Sequence, residues 1–74
     1  MAMNVLGKRI VVQSNKTETL RGRITKFREV DNRHSRVTLI DNEWGMAWDI
    51  RVPNSAVSQI GKEIQYKGEK FKIY

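Results

Sequence analysis

Basic side chains carry most of the chemistry that this sequence could perform. Residues 21–36 contain six basic residues, of which five are arginines and one is a lysine. A planar guanidinium can form two parallel hydrogen bonds with phosphate oxygens, whereas an ammonium offers only a point charge. An exposed indole could add stacking against a base. The candidate nucleic-acid-binding residues are therefore Arg21, Arg23, Lys26, Arg28, Arg33, Arg36 and Trp44.

The charge of the chain is unevenly distributed along its length. Fourteen Lys and Arg residues against eight Asp and Glu residues give a net charge of +6. Residues 1–40 hold nine of the basic and three of the acidic residues, while residues 41–74 hold five of each. This asymmetry favours a surface that faces a polyanion, such as nucleic acid, an acidic protein or anionic lipid. A solvated surface that only aids solubility is the alternative interpretation.

Catalytic residues are not expected in this chain. Nucleophilic catalysis requires a nucleophile, a general base and a group that orients the base. The sequence contains no cysteine and one histidine, His34, which lies between Arg33 and Ser35 in a predicted turn. A single histidine in a turn is predicted to be solvated. We therefore expect a non-enzymatic protein without a cofactor.

A group of acidic residues could in principle bind a metal ion. Asp41 and Glu43 flank Asn42, and Asp49 follows nearby. Calcium requires six to eight oxygen ligands, and this spacing does not match the ligand positions of the EF-hand calcium loop. We interpret these carboxylates as caps of backbone amides or as partners of Arg36 and Arg51, and expect no metal site. This interpretation concerns the acidic residues Asp41, Glu43 and Asp49, the neutral amide Asn42, and the arginines Arg36 and Arg51.

The elements that must position these side chains are predicted to be strands. Eighteen β-branched residues stand against three leucines and three alanines, a composition typical of an all-β protein. With 74 residues and no cysteine, residues 1–74 are predicted to form one small domain around a single core. Such a core leaves no spare volume for a pocket.

The longest predicted strand covers residues 18–30 and contains a bulge. Leu20, Gly22 and Ile24 share one parity, and Phe27 breaks it, which predicts an extra residue near Thr25. With that bulge the basic residues of this segment face outward and the apolar residues face the core. Gly22 would permit the tight coiling that a small barrel needs.

Residues 8–13 and 36–41 are predicted as further strands, and residues 46–52 give the clearest alternation in the chain. Met46, Trp48, Ile50 and Val52 are predicted to face the core, which makes Trp48 a core residue. Trp44 is either exposed in its loop or folded over the end of a barrel.

The C-terminal third is predicted to contain one helical turn and a β-hairpin. Residues 56–59 would form the turn after Pro53, with Asn54 or Ser55 as its cap. Residues 63–74 would form the hairpin, with its loop at residues 67–68 or at residues 68–69. Either register places Ile64, Tyr66, Phe71 and Ile73 on one face.

Residues 7–12, 20–24 and 53–60 resemble the opening strand, the bent strand and the short 3₁₀-type turn of the SH3-like small barrel, as in Tudor, KOW and Sm-type modules. The resemblance covers most of the chain and rests on strand order, not on a family-specific motif. It implies a five- to six-stranded SH3-like barrel with one short helical turn and a C-terminal β-hairpin. An OB-type barrel also uses five coiled strands and stays open as an alternative.

These features together predict a non-enzymatic, cytoplasmic module that contacts DNA or RNA backbones without sequence specificity. No membrane partner is expected, because no segment approaches the length of a membrane span. The alternative is a protein-interaction or assembly module, such as an accessory or phage or mobile-element subunit. It would use Trp44 or the hairpin of residues 64–73 as its anchor. A homo-oligomer could form through an exposed edge strand or through the hairpin.

Overall fold

A computed structural model of the protein describes residues 4–16 and 18–74. Within them, six antiparallel strands form one sheet in the order β4-β3-β2-β1-β6-β5, with a single short helix. The predicted all-β class, the helical turn and the hairpin are confirmed. The elements are β1 (Arg9–Ser14), β2 (Leu20–Glu29), β3 (His34–Asp41), β4 (Ala47–Pro53), α1 (Asn54–Ser58), β5 (Ile64–Tyr66) and β6 (Glu69–Ile73).

The predicted bulge in β2 is confirmed. Ile24 lies opposite Leu39 of β3, but the next pair is Lys26 with Thr38, so Thr25 is the extra residue. An extra residue restores the inward parity of the following side chains while it bends the strand. Phe27 is therefore packed against the core, and Lys26 is exposed.

The core lies on the concave side of the sheet. Side chains from β1, β2, β3, β4 and β6 meet there with two side chains of α1, which covers one end. Full burial of an aliphatic or aromatic side chain contributes roughly 1.5–3 kcal/mol, so this cluster is the main source of stability. The buried apolar residues are Val5, Ile10, Val12, Ile24, Val37, Leu39, Val52, Ala56, Val57, Phe71 and Ile73.

Helix α1 begins differently from the prediction. Its N-cap residue is Pro53, and no side chain forms a capping hydrogen bond, so the predicted cap by Asn54 or Ser55 is wrong. The Asn54 side chain instead accepts a hydrogen bond from the Ser35 hydroxyl and donates one to the Asp31 carbonyl. It ties the start of α1 to the turn between β2 and β3.

The hairpin of β5 and β6 belongs to the main sheet. Lys67 and Gly68 form its two-residue loop with φ angles of 49° and 79°, as a type I′ turn requires. This geometry selects the first of the two predicted registers. Strand β6 pairs with β1 along its length, and Phe71 lies opposite both Val12 and Ile64.

The sheet curls, but hydrogen bonds do not close it into a barrel. Among the described residues β4 and β5 end the strand order without pairing with each other. Side chains span part of the gap, because Nε2 of His34 in β3 and the Tyr66 hydroxyl in β5 form a hydrogen bond of 2.5 Å. His34 also lies 3.4 Å from the Asp31 carboxylate. It is half-buried, so the prediction of a solvated turn histidine is wrong.

His34 is half-buried because the curl of the sheet brings β5 over the start of β3, a proximity that sequence spacing does not reveal.

The one described helix is five residues long. In the described part of the chain no helix is long and apolar enough to cross a membrane.

Candidate nucleic-acid interface

The convex side of the sheet carries nine basic side chains, with neutral residues such as Val11, Thr38 and Ile40 between them. Residues directly opposite each other in paired strands share a face. Arg28 lies opposite Arg36, and Arg36 lies opposite Arg51, which forms one row across three strands. Arg9 and Arg23 form a second opposed pair. We call the whole set the cationic face: Arg9, Arg21, Arg23, Lys26, Arg28, Arg36, Arg51, Lys70 and Lys72.

Five of the seven predicted site residues lie on the cationic face. Arg21, Arg23, Lys26 and Arg28 are exposed along β2, and Arg36 is half-exposed beside Arg28. The two others lie outside it. Arg33 is in the turn before β3, and Trp44 is in the loop before β4.

Four members of the cationic face are not among the residues predicted from the sequence, namely Arg9, Arg51, Lys70 and Lys72. Alternation within their own strands placed Arg9 and Arg51 outward, but their opposition to Arg23 and Arg36 depends on strand pairing. The two lysines join the face only because β6 pairs with β1. Counting charge along the chain concealed them, since residues 41–74 are neutral in sum.

The cationic face has little internal compensation. Like charges directly opposite each other across two strands repel. Among the described residues, Glu63 lines a pocket together with Arg21, Lys70 and Lys72. Asp49 lies beside Arg36, and its Oδ1 is 3.6 Å from Nε of that arginine. This contact confirms the predicted pairing of Asp49 with Arg36. Arg23 donates a hydrogen bond of 3.0 Å to the Gly7 carbonyl, which fixes its guanidinium without neutralising it.

The Asp41 carboxylate organises the loop between β3 and β4. The residue is buried and accepts hydrogen bonds from the backbone N–H groups of Trp44 and Met46. It also accepts one of 2.7 Å from the indole Nε1 of Trp48. The bond from Trp44 is the main cause that lowers the pKa of Asp41 below its ordinary value. The predicted capping role of Asp41 is thus confirmed, and no cluster of metal-ligating residues is found within the residues described.

Strand β4 is packed over only part of its length. Val52 is buried and Ile50 half-buried, but Trp48 is 40% exposed and Met46 54% exposed. The prediction of Met46 and Trp48 as core residues is wrong. Because β4 is at the edge of a sheet that does not close, the inward side chains of Trp48 and Ile50 line a groove.

This groove has a volume of about 510 Å³ and corrects the expectation that the domain leaves no space for a pocket. We call it the tryptophan groove. Its apolar surface includes Trp48, Ile50 and Leu20, and Trp44, 76% exposed, stands at its edge. Strands β1, β2, β4 and β6 all contribute to it, since the curl brings β4 towards the hairpin.

The fold and the two surfaces define a small, compact all-β protein with basic residues on one side of its sheet and an indole-lined groove on the other. No family model, curated protein or solved structure matches the chain.

The lowered pKa of Asp41 leads to a prediction about acid stability. A carboxylate whose pKa is lower in the folded than in the unfolded protein stabilises the fold above the unfolded value, about 3.9, and ceases to do so as the pH falls through the folded value. The thermal midpoint should therefore fall as the protein is acidified below about pH 4. Asp41→Asn should flatten part of this decline, and should lower the midpoint at pH 7, because an amide nitrogen cannot accept the bonds from Met46 and Trp48.

The measurement is a series of thermal melts followed by circular dichroism between neutral and acidic pH. Asp31, whose pKa is also lowered, chiefly by the backbone N–H of Arg33, is the matched second site, and Asp31→Asn should remove a separate part of the decline. An Asp41→Asn profile that runs parallel to that of the wild type would exclude this role for Asp41.

Proposed function

We propose that the protein is a non-enzymatic module that binds DNA or RNA by contacting phosphate groups with its cationic face. The observation that carries this proposal is the direct opposition of like charges. Arg28, Arg36 and Arg51 lie in one row, and within the described residues Asp49 is the one carboxylate that lies within 4.0 Å of a basic group of this row. Phosphates placed between such guanidiniums would relieve their repulsion and accept bidentate hydrogen bonds.

The proposed binding is independent of base sequence. Reading base edges requires an element that enters a groove of the duplex, commonly a helix or a two-stranded ribbon. Helix α1 has five residues, and its Ala56 and Val57 are buried against the core, so it has no such use. Phosphate contacts alone give affinity and position without sequence discrimination.

We further propose that the architecture is that of an SH3-like barrel left open between β4 and β5. The bent β2, the short helix between β4 and β5, and the C-terminal hairpin support this assignment. An open Greek-key barrel of the OB type is the alternative.

The expected result for the cationic face is a large loss of affinity when Arg21, Arg23 and Arg28 are changed together to Gln. Each phosphate contact contributes roughly 0.7–0.9 to the slope of log affinity against log salt concentration. Removing three contacts should lower that slope by about 2–3, in addition to weakening binding at every salt concentration. Fluorescence-anisotropy titrations with labelled single-stranded and duplex oligonucleotides over a range of salt would measure both effects.

A matched control separates the cationic face from net charge. The substitutions Lys16→Gln, Lys62→Gln and Lys67→Gln remove the same three charges from positions outside the cationic face. This control should keep most of the wild-type affinity and slope. Equal losses in the two triple variants, or unchanged affinity in the arginine variant, would refute the proposal. Circular dichroism would verify that both variants are folded.

The structure also bears on the rival function of protein binding. Phe71 and Ile73 of the hairpin are buried in the core, and Ile64 and Tyr66 are packed against it. The apolar face of the hairpin is therefore already occupied. Of the two anchors expected for a protein partner, Trp44 is the exposed one.

A further inference from the structure

The tryptophan groove has its apolar floor on the side of the sheet opposite the cationic face, and two members of that face, Arg21 and Arg51, border it. Its apolar members Val12, Leu20, Trp48 and Ile50 have the inward parity of their strands. Trp44 and Trp48 are 76% and 40% exposed, so two indoles reach solvent at one groove. Large exposed aromatic side chains around a concave apolar surface are typical of a binding site.

The groove is acidic although the protein is basic. Four of the eight acidic residues of the chain line it, against two basic residues, Arg21 and Arg51. The Asp41 carboxylate already accepts hydrogen bonds from Trp44, Met46 and Trp48. The three glutamates form no ion pair within 4.0 Å in the part of the chain that the structure describes. These glutamates are Glu18, Glu43 and Glu69.

The backbone beside the groove is also available for pairing. The bonds from Asp41 N–H to the Met46 carbonyl and from Asn54 N–H to the Arg33 carbonyl set the pattern between β3 and β4. In an antiparallel pair, alternate residues direct their backbone groups to the partner strand. Those of Ala47, Asp49 and Arg51 therefore point away from β3, at the free edge of the sheet.

The charge and the rings together select a class of ligand. Carboxylates at a groove disfavour a phosphate chain and favour Lys or Arg, and an indole face attracts the same cations. The aliphatic floor favours apolar side chains between the charges, and the free edge favours an extended backbone. We propose that the tryptophan groove binds an extended segment of another protein that combines apolar residues with Lys or Arg. This proposal is independent of nucleic-acid binding by the cationic face.

Intrinsic fluorescence can test the proposal, because both tryptophans of the chain line the groove. The probe is a short, capped synthetic peptide that alternates leucine with lysine, and its control replaces each lysine with glutamate. The lysine peptide should change the tryptophan emission saturably. The glutamate peptide should bind much more weakly, and equal binding of the two would overturn the charge argument.

Variants locate the binding within the groove. Glu43→Gln and Glu69→Gln should each weaken the lysine peptide by about two- to fivefold, as expected for a partly exposed ion pair. The matched control is Glu29→Gln, which removes an exposed carboxylate outside the groove and should have no effect. Trp44→Ala should weaken binding at least about tenfold, with Trp48 as the remaining reporter. Tyr74→Ala, at another exposed ring, should not.

Three further outcomes would overturn the proposal. The first is an absence of peptide binding at low salt. The second is quenching of the tryptophans by a single-stranded oligonucleotide that displaces the peptide, which would make the groove part of the nucleic-acid site. The third is an emission change with the concentration of the protein alone, matched by light scattering, which would identify a second copy as the occupant. Glu43→Gln and Glu69→Gln should leave oligonucleotide binding undiminished, so the two proposals fail independently.

Discussion

Replacing Gly22 by alanine should destabilise the protein by at least about 3 kcal/mol, the upper end of the usual cost of overpacking. An added Cβ would lie 2.2 Å from the carbonyl oxygen of Ile40 and 2.8 Å from Cδ1 of Leu39. The leucine could adjust its rotamer, but the carbonyl belongs to the neighbouring strand. Relief would require β3 to move away from β2, which would break the pairing on which both the core and the cationic face depend.

Urea denaturation followed by circular dichroism would measure this loss. Gly45→Ala is the matched control, since Gly45 has a φ of 68° and no heavy atom within 4 Å of the added Cβ. The control should cost roughly 1–2 kcal/mol, which is the price of the left-handed conformation alone. If Gly22→Ala costs no more than Gly45→Ala, close strand contact is not the reason for glycine at position 22.

The features that could be predicted from the sequence are those fixed by parity along a single strand. The break at Phe27 located the bulge at Thr25, and the alternation of β2 placed its basic residues outward. The pair Lys67 and Gly68 was one of two loops consistent with the hairpin pattern, and the structure selects it. In each case the information lies within a few neighbouring residues.

The features that could not be predicted depend on how the sheet ends. Trp48 has inward parity, as predicted, but parity does not say whether anything packs over that side chain. The strand order leaves β4 at an unpaired edge, so an inward residue there is 40% exposed. The contact of His34 with Tyr66 arises from the same curl, between residues 32 positions apart. Both misses share one cause, which is the tertiary curvature of the sheet.

The last two strands supply the core residue whose loss should be the most damaging. Phe71 is 2% exposed and is among the largest fully enclosed side chains, with Val12 opposite it in β1 and Ile64 opposite it in β5. Truncating a buried phenylalanine to alanine costs about 3–5 kcal/mol, because the transfer free energy is lost and a cavity remains. At roughly 0.05–0.15 kcal/mol per residue a domain of this size has only about 4–11 kcal/mol in total.

Phe71→Ala should therefore lower the thermal midpoint by well over about 10 °C, measured by circular dichroism at neutral pH. Tyr74→Ala, one residue beyond β6 and 52% exposed, is the control and should shift the midpoint only slightly. Because Phe71 joins the hairpin to β1, the loss should appear as one cooperative transition and not as separate melting of β5 and β6. A second transition, or a midpoint close to that of Tyr74→Ala, would show that the hairpin contributes little to the core. If β5 and β6 melted in a separate transition, Lys70 and Lys72 would leave the cationic face together with β6. The salt dependence of oligonucleotide binding would then decrease as these two strands melt.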